Sequence, residues 1–373
     1  MNCWLECRVC RFRREIGPSE HGCPDCTRAP LEVRYEAKPF EQTALPGIWR
    51  WSARLPPVKE ILTLGEGNTP LLPVGLPDGS RMWLKNETIN PTWSYKDRFN
   101  AATVAMAREF GKKGVAATTT GNHGMSAAAF AAAGGLACAA FCHTGASEVQ
   151  VEMMRRYGAR TQRGGDRAAG VRALLESGEW FPSTGLCPRN GYSNPYGIEG
   201  YKTIAFEPAA QLGRAPDRVY VPLGGGDGLY GVWKGFRELF EVGAIDRIPA
   251  MIGCQAEGAN PYVRALRAKA RTLTAVPDTS SAALSIAEAI GGDHALDAII
   301  DSHGDAVDCT DSQLAATADW LAKRGIGVEL SSAAPVAARL AANGAGDRID
   351  VAVLTGAAIK WPEHLYQNLT NRF

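Results

Sequence analysis

From Gly65 onward the chain passes repeatedly from a short apolar run, through a turn of Gly, Asn, Thr or Pro, into a stretch of helical period. Residues 81–85 alternate as a strand, and 99–110 follow as an amphipathic helix. Residues 114–118 lead through a Thr-Thr-Gly turn into a small-residue helix over 125–133. A buried strand over 136–141 precedes a helix over 149–157 and the short run 158–161. Later, strand 218–222 enters a glycine turn and a helix over 229–240, and strand 349–354 ends at Thr355-Gly356. This alternation predicts an α/β fold of open, twisted, mostly parallel sheets, whose ligands gather at the carboxyl ends of strands. Residues 31–57, rich in Pro and Trp, lack the pattern and read as a linker packed on the body.

At 373 residues the chain exceeds one hydrophobic core and suits two packed lobes. A net charge of +1 supplies no field for nucleic acid or an anionic membrane. No apolar run is long enough to span a bilayer. Met1-Asn2-Cys3-Trp4-Leu5-Glu6-Cys7 lacks the basic-then-apolar layout of a signal peptide, so a cytoplasmic protein is expected.

Cysteines cluster near the start of the chain. Cys7-x-x-Cys10 and Cys23-x-x-Cys26 form two knuckles joined by a polar loop, the spacing of a structural zinc ribbon. A ribbon that has lost its metal is the alternative. Cys3 and His21 are spare candidates, and Arg11-Phe12-Arg13-Arg14 reads as a solvated loop. Cys138, Cys142, Cys187, Cys254 and Cys309 share no spacing and read as small core residues of a reduced protein.

Four strand-end segments converge on one crevice. Asn90-Pro91-Thr92-Trp93-Ser94-Tyr95-Lys96-Asp97-Arg98 places a lysine between a turn and a helix start, where it can form a Schiff base if its pocket leaves it neutral. Thr119-Thr120-Gly121-Asn122-His123-Gly124 opens a helix whose N–H groups suit a carboxylate. There Asn122 can bond a ring oxygen, and His123 is either a proton carrier or a structural ring. Gly224-Gly225-Gly226-Asp227-Gly228 forms an anion nest at a helix start, suited to a compact phosphate. It matches neither a Walker A loop nor a dinucleotide fingerprint. Thr355 offers a neutral hydroxyl. At a pyridine nitrogen it would leave the ring a weaker electron sink, favouring elimination and replacement over transamination.

The chain resembles the threonine synthases, within the fold-type II pyridoxal-phosphate enzymes. The likeness rests on Glu66-Gly67-Asn68-Thr69-Pro70-Leu71, the Lys96 segment, Thr120-Gly121-Asn122, Asn194-Pro195-Tyr196-Gly197-Ile198-Glu199-Gly200-Tyr201-Lys202-Thr203, the Gly224 run, Val328-Glu329-x-Ser331-Ser332-Ala333-Ala334 and Leu354-Thr355-Gly356. It implies that Lys96 carries pyridoxal phosphate and moves the Cα proton. Asn122 would face the ring oxygen, residues Gly224, Gly225, Gly226, Asp227 and Gly228 the phosphate, and Thr355 the ring nitrogen. Ser94, Thr119, Thr120 and His123 would bind the substrate. The implied reaction turns O-phosphohomoserine and water into threonine and phosphate, or replaces the leaving group of a related phospho-amino acid. Alternatives are an ammonia-lyase or dehydratase giving an α-keto acid, and a non-catalytic relative that binds cofactor. A homodimer is a further family expectation.

Three departures stand out. Trp93 sits where the family usually has Gly, which predicts a narrowed substrate pocket. Gly197 sits where the family usually has Arg, removing a grip on substrate phosphate. Asn122-His123-Gly124 resembles the ammonia-lyase branch. The expected organisation is a ribbon module over 1–30, a large cofactor-binding domain over 31–98 and 200–373, and a smaller mobile domain over 99–199.

Overall fold

The computed structural model describes residues 3–19, 22–26, 30–36, 40–184, 194–342 and 347–362; His21 and Cys187 lie outside them. In chain order the first elements are strands β1 (Cys3–Cys7), β2 (Arg13–Arg14), β3 (Leu31–Tyr35), β4 (Leu71–Gly75) and β5 (Arg81–Asn86). Alternation follows with α1 (Lys96–Glu109), β6 (Gly114–Thr119), α2 (Asn122–Ala133), β7 (Ala137–Cys142), α3 (Glu148–Arg156), β8 (Arg160–Arg163), α4 (Arg167–Leu175) and β9 (Trp180–Pro182). Then come α5 (Pro195–Leu212), β10 (Arg218–Pro222), α6 (Asp227–Glu241), β11 (Ala250–Ala256) and α7 (Pro261–Arg267). The chain continues through α8 (Asp293–Asp301), β12 (Asp305–Cys309), α9 (Asp311–Ala322), α10 (Leu330–Ala341) and β13 (Asp350–Leu354).

Two α/β sheets result. One has six strands in the order β12-β11-β10-β13-β5-β4, parallel except for the β4–β5 pair. The other has four parallel strands in the order β8-β7-β6-β9. The alternation read from the sequence is thus an α/β architecture, because each buried parallel strand needs a helical crossover to reach its neighbour. Small residues let α2 lie close on its sheet: a Cβ on Gly124 would stand 2.6 Å from Thr119 Cγ2. No helix among the described residues is long and apolar enough to cross a membrane.

The linker expected over 31–57 is more ordered than its composition suggests. Leu31 and Val33 of β3 are buried and pair with Cys7 and Leu5 of β1 in a three-stranded antiparallel sheet. The cysteine-bearing sheet therefore runs on to Tyr35, past residue 30. Gly47–Arg54 is a 3₁₀ segment pinned by its tryptophans. Trp49 Nε1 donates to the Leu62 carbonyl at 2.8 Å, and Trp51 packs edge-on to Phe206 of α5 at 5.6 Å. Each buried aromatic side chain contributes about 1.5–3 kcal/mol, enough to order a segment without periodic pattern.

The cysteine sheet is bonded to the body. Glu32 accepts from Tyr230 and, at 2.7 Å, from Arg237, both on α6. Tyr35 Oη donates to Glu199 of α5 at 2.6 Å.

Candidate active site

The Lys96 segment is held from behind by buried charge. Arg98, fully buried, forks between Glu87 at 2.6 Å and Glu207 at 2.7 Å. Glu207 also receives Lys85. Burial alone would raise the Glu207 carboxyl, but Arg98 and Lys85 hold it well below the usual carboxylate range. One network thereby ties the first turn of α1 to β5 and α5. Asp97 closes the preceding turn by accepting from Thr92 N at 2.6 Å. On the other side Tyr95 N donates to the Thr355 carbonyl at 3.0 Å and Ala357 N to the Trp93 carbonyl at 3.1 Å. Lys96 and the end of β13 are therefore one hydrogen-bonded unit.

This unit corrects the expectation for Trp93. Its φ is +58°, a left-handed conformation that glycine adopts at no steric cost and other residues adopt at about 1 kcal/mol. The indole is 41% exposed and is not part of the cavity wall. The backbone requirement of the turn, rather than room for substrate, explains a glycine preference here.

A cavity of about 370 Å³ opens between the two sheets' strand ends. Tyr95 and Lys96 form one side, with Lys96 Nζ 4.9 Å from the Tyr95 ring centre. That ring stacks on Tyr201 at 4.8 Å. Lys96 Nζ makes no hydrogen bond or ion pair with a described residue.

The glycine turn forms the second side. Gly224, Gly225, Gly226, Asp227 and Gly228 all line the cavity where α6 begins. Gly226 has φ +108°, and a Cβ there would meet Tyr262 Oη at 2.6 Å. A Cβ on Gly225 would meet nothing within 4 Å, so its missing side chain leaves open space over the nest.

Thr119, Thr120, Asn122 and His123 form the third side. The Thr119 hydroxyl is used internally, accepting from Gly121 N and Gly124 N at 2.8 Å each. Asn122 Nδ2 donates to both oxygens of Glu329, while Asn122 Oδ1 is buried without a hydrogen-bond partner among the described residues. His123 Nε2 lies 3.0 Å from Ser183 Oγ and also contacts the Ser183 carbonyl. Burial, with the Lys96 charge adding to it, pushes the His123 imidazole down to about 3. A ring that stays neutral is a hydrogen-bonding wall rather than a proton carrier at neutral pH.

Thr355 and Ser331 close the fourth side. Thr355 Oγ1 is 3.0 Å from Ser332 Oγ, which itself accepts from Gly356 N at 2.6 Å. Of the substrate-side expectations, Ser94 alone stays off the wall. It is fully buried, its Oγ accepting from Lys96 N at 3.3 Å.

Sequence reasoning passed over several residues that complete the site. Glu329 lines the cavity and also accepts from Trp361 Nε1 at 2.8 Å. Its one signal was a place in the Val328-to-Ala334 run. Lys360, off the cavity wall, is buried with its Nζ unpartnered among the described residues, and burial pushes it down to about 8 against the pull of Glu329 and Asp97. Arg167 and Thr184 reach the cavity from α4 and the end of β9. No local pattern marks these three.

These residues fit pyridoxal phosphate. Open space over a glycine nest at a helix N-terminus suits its phosphate. The orphaned Asn122 Oδ1 awaits a donor such as a ring hydroxyl, and Lys96 has an unengaged amine.

Residues 62–356 match the family model "Pyridoxal-phosphate dependent enzyme". The chain is 34% identical to the threonine synthase of Methanosarcina acetivorans over 385 aligned positions, covering 96% of this chain and 92% of the relative. The chain belongs to the threonine synthase-like, pyridoxal-phosphate-dependent enzymes. It shares 35% identity with the threonine synthase of Methanocaldococcus jannaschii, covering 85% of this chain and 81% of that one. Among solved structures, the fungal L-serine ammonia-lyase of Rhizomucor miehei superposes with TM-score 0.68 at 19% identity, over 82% of this chain and 98% of its own. Maize serine racemase superposes with TM-score 0.67 at 19% identity, over 81% and 92%. These two share the fold-type II architecture. This family member is a carbon–oxygen lyase, and pyridoxal phosphate is its cofactor.

The cysteine knuckles fit a metal as well. The Sγ atoms of Cys7, Cys10, Cys23 and Cys26 all lie within 4.8 Å of one another. Four thiolates at about 2.3 Å from a tetrahedral zinc are spaced comparably.

Proposed function

We propose that this lyase converts O-phosphohomoserine and water to threonine and phosphate. The observation that carries the reading is identity above 30% with threonine synthases along nearly the whole of both chains, supported by a lysine amine and a glycine turn that line one cavity. The bound cofactor would supply an electron sink for the carbanion at the substrate's Cα.

The chain's own residues would do the rest. Lys96 holds the cofactor and then, released from it, moves the Cα proton. The glycine nest takes the cofactor phosphate, and Asn122 Oδ1 orients the ring oxygen. Thr355, a neutral hydroxyl, meets the ring nitrogen without forcing a proton onto it. Thr120 and the N–H groups opening α2 receive the substrate carboxylate. Thr119 braces that turn, Ser94 braces Lys96, and neutral His123 walls the pocket.

Four thiolates support a structural zinc that closes the ribbon. The four-stranded sheet supports a smaller domain over 99–199 against a large one over 31–98 and 200–373. A homodimer is proposed from family likeness, and sedimentation at the monomer mass would overturn it.

A second reading, an ammonia-lyase or dehydratase, draws support from Gly197, which leaves the Asn194-to-Glu199 turn without a guanidinium. Holoenzyme mixed with O-phosphohomoserine decides between them. Phosphate release with threonine formation supports the first reading; an α-keto acid from threonine or serine, with no phosphate release, replaces it. Lys96→Ala should abolish both and remove the visible absorbance of the holoenzyme.

A further inference from the structure

A phospho-amino acid bound beside pyridoxal phosphate brings a second phosphate into the cavity, and that group needs a receptor of its own. The glycine nest suits the cofactor, and Lys96 is committed to its aldehyde. His123 stays neutral. At position 197, on the first turn of α5, a side chain cannot start: a Cβ on Gly197 would stand 2.2 Å from the Phe99 ring. That ring is itself fixed against His123 and Tyr201, each at 5.1 Å.

Among the described residues, one other permanent cation lines the cavity. Arg167 is the first residue of α4, in a helix start capped by Asp166, which accepts from Ala169 N at 2.9 Å. Its guanidinium makes no hydrogen bond or ion pair with a described residue. The same wall carries hydroxyls: Thr118 Oγ1 and Thr184 Oγ1 lie 2.8 Å apart and both face the cavity. A planar guanidinium beside two hydroxyls suits a phosphate monoester, which it can grip through two parallel N–H donors. The opposite wall holds Glu288, beside Gly224. That carboxylate is not within ion-pair distance of Arg167, so the cation is left for a ligand.

We propose that Arg167, carried into the cavity by α4, is the receptor for the substrate's leaving-group phosphate. The inference rests on the phospho-amino acid reading above and names the residue that makes it specific. It also places the anion grip on the sheet opposite the cofactor phosphate, so that substrate would bridge both walls of the cleft.

The test titrates two ligands into holoenzyme and reads the visible absorbance of the cofactor. One is the phosphonate isostere of phosphohomoserine, with methylene for the ester oxygen. The other is norvaline, the same carbon chain without the phosphonate. Arg167→Gln should weaken the phosphonate about 10- to 100-fold, the size of a lost charge-assisted pair, and leave norvaline unchanged. Arg167→Lys should recover part of the loss. Equal phosphonate affinity in wild type and Arg167→Gln overturns the proposal. So does an equal loss of both ligands in Arg167→Gln and Glu288→Gln, which would make the pair a latch across the cleft. If wild type binds norvaline and ignores the phosphonate, the phospho-amino acid reading itself falls, and this inference with it.

Discussion

Asn122 and Glu329 meet across the cavity through two hydrogen bonds of 2.8 and 2.9 Å, from one amide nitrogen to both carboxylate oxygens. The contact fixes which end of the carboxamide faces the cavity. With Nδ2 committed to Glu329, Oδ1 is the atom presented to a ligand.

Glu329→Ala should therefore weaken cofactor binding without touching the cofactor. It strands a buried donor and frees the Asn122 side chain to turn. A lost bond to a charged acceptor is worth about 1.5–3 kcal/mol, so the affinity of apoenzyme for pyridoxal phosphate should fall roughly 10- to 100-fold. Fluorescence titration of the apoenzyme measures it, and unchanged affinity would detach Asn122 from the ring.

Gly197→Arg should destabilise the chain even though it removes a glycine from a helix. Propensity favours the substitution by about 1 kcal/mol. The clash with Phe99 costs about 1–3 kcal/mol or more, and wins because His123 and Tyr201 leave the ring no retreat. Adding Phe99→Ala should relieve the clash. A double-mutant cycle by urea unfolding checks the pair, and additive effects would contradict the contact.

Lys360 should make stability depend on pH in an alkaline window. Its amine is pushed from 10.5 down to about 8. Between those values the unfolded chain holds more protons than the folded one, so stability rises with pH there and the full cost is felt below the window. That cost is on the order of 3 kcal/mol. Lys360→Met should therefore be the more stable protein at pH 7, with an advantage that shrinks as pH climbs toward 10.5. Urea midpoints across that range measure it, and an advantage that does not change with pH would sink the argument.

Purified protein should hold one zinc per chain, and Cys7→Ser or Cys26→Ser should remove it. The loss should reach the body, because Glu32 of β3 binds Tyr230 and Arg237 of α6. Metal analysis paired with thermal melts tests both halves. Full stability after complete metal removal would make the ribbon an independent appendage.

Local pattern was enough for much of this chain. Strands 81–85 and 218–222 and the helix over 229–240 recur almost as read, because apolar periodicity and glycine turns act over neighbouring residues. Lys96, the glycine turn, Asn122 and Thr355 were legible as cavity residues because each lies on the segment that leaves a strand end, where open α/β sheets form their crevices. The order of residues 31–57 was not, since Trp49 and Trp51 are placed by distant partners, Leu62 and Phe206.

Sequence alone determined the fold class and singled out Lys96 and the Gly224-to-Gly228 turn, all of which depend on residues close together along the chain. Tertiary structure decided what surrounds them. It turned Trp93 outward, closed position 197 with Phe99, put Glu329 behind Asn122 and brought Arg167 to the cavity from another sheet. Most of these relations join segments far apart in the chain, and only the tertiary arrangement of the two sheets' strand ends around one cavity sets them.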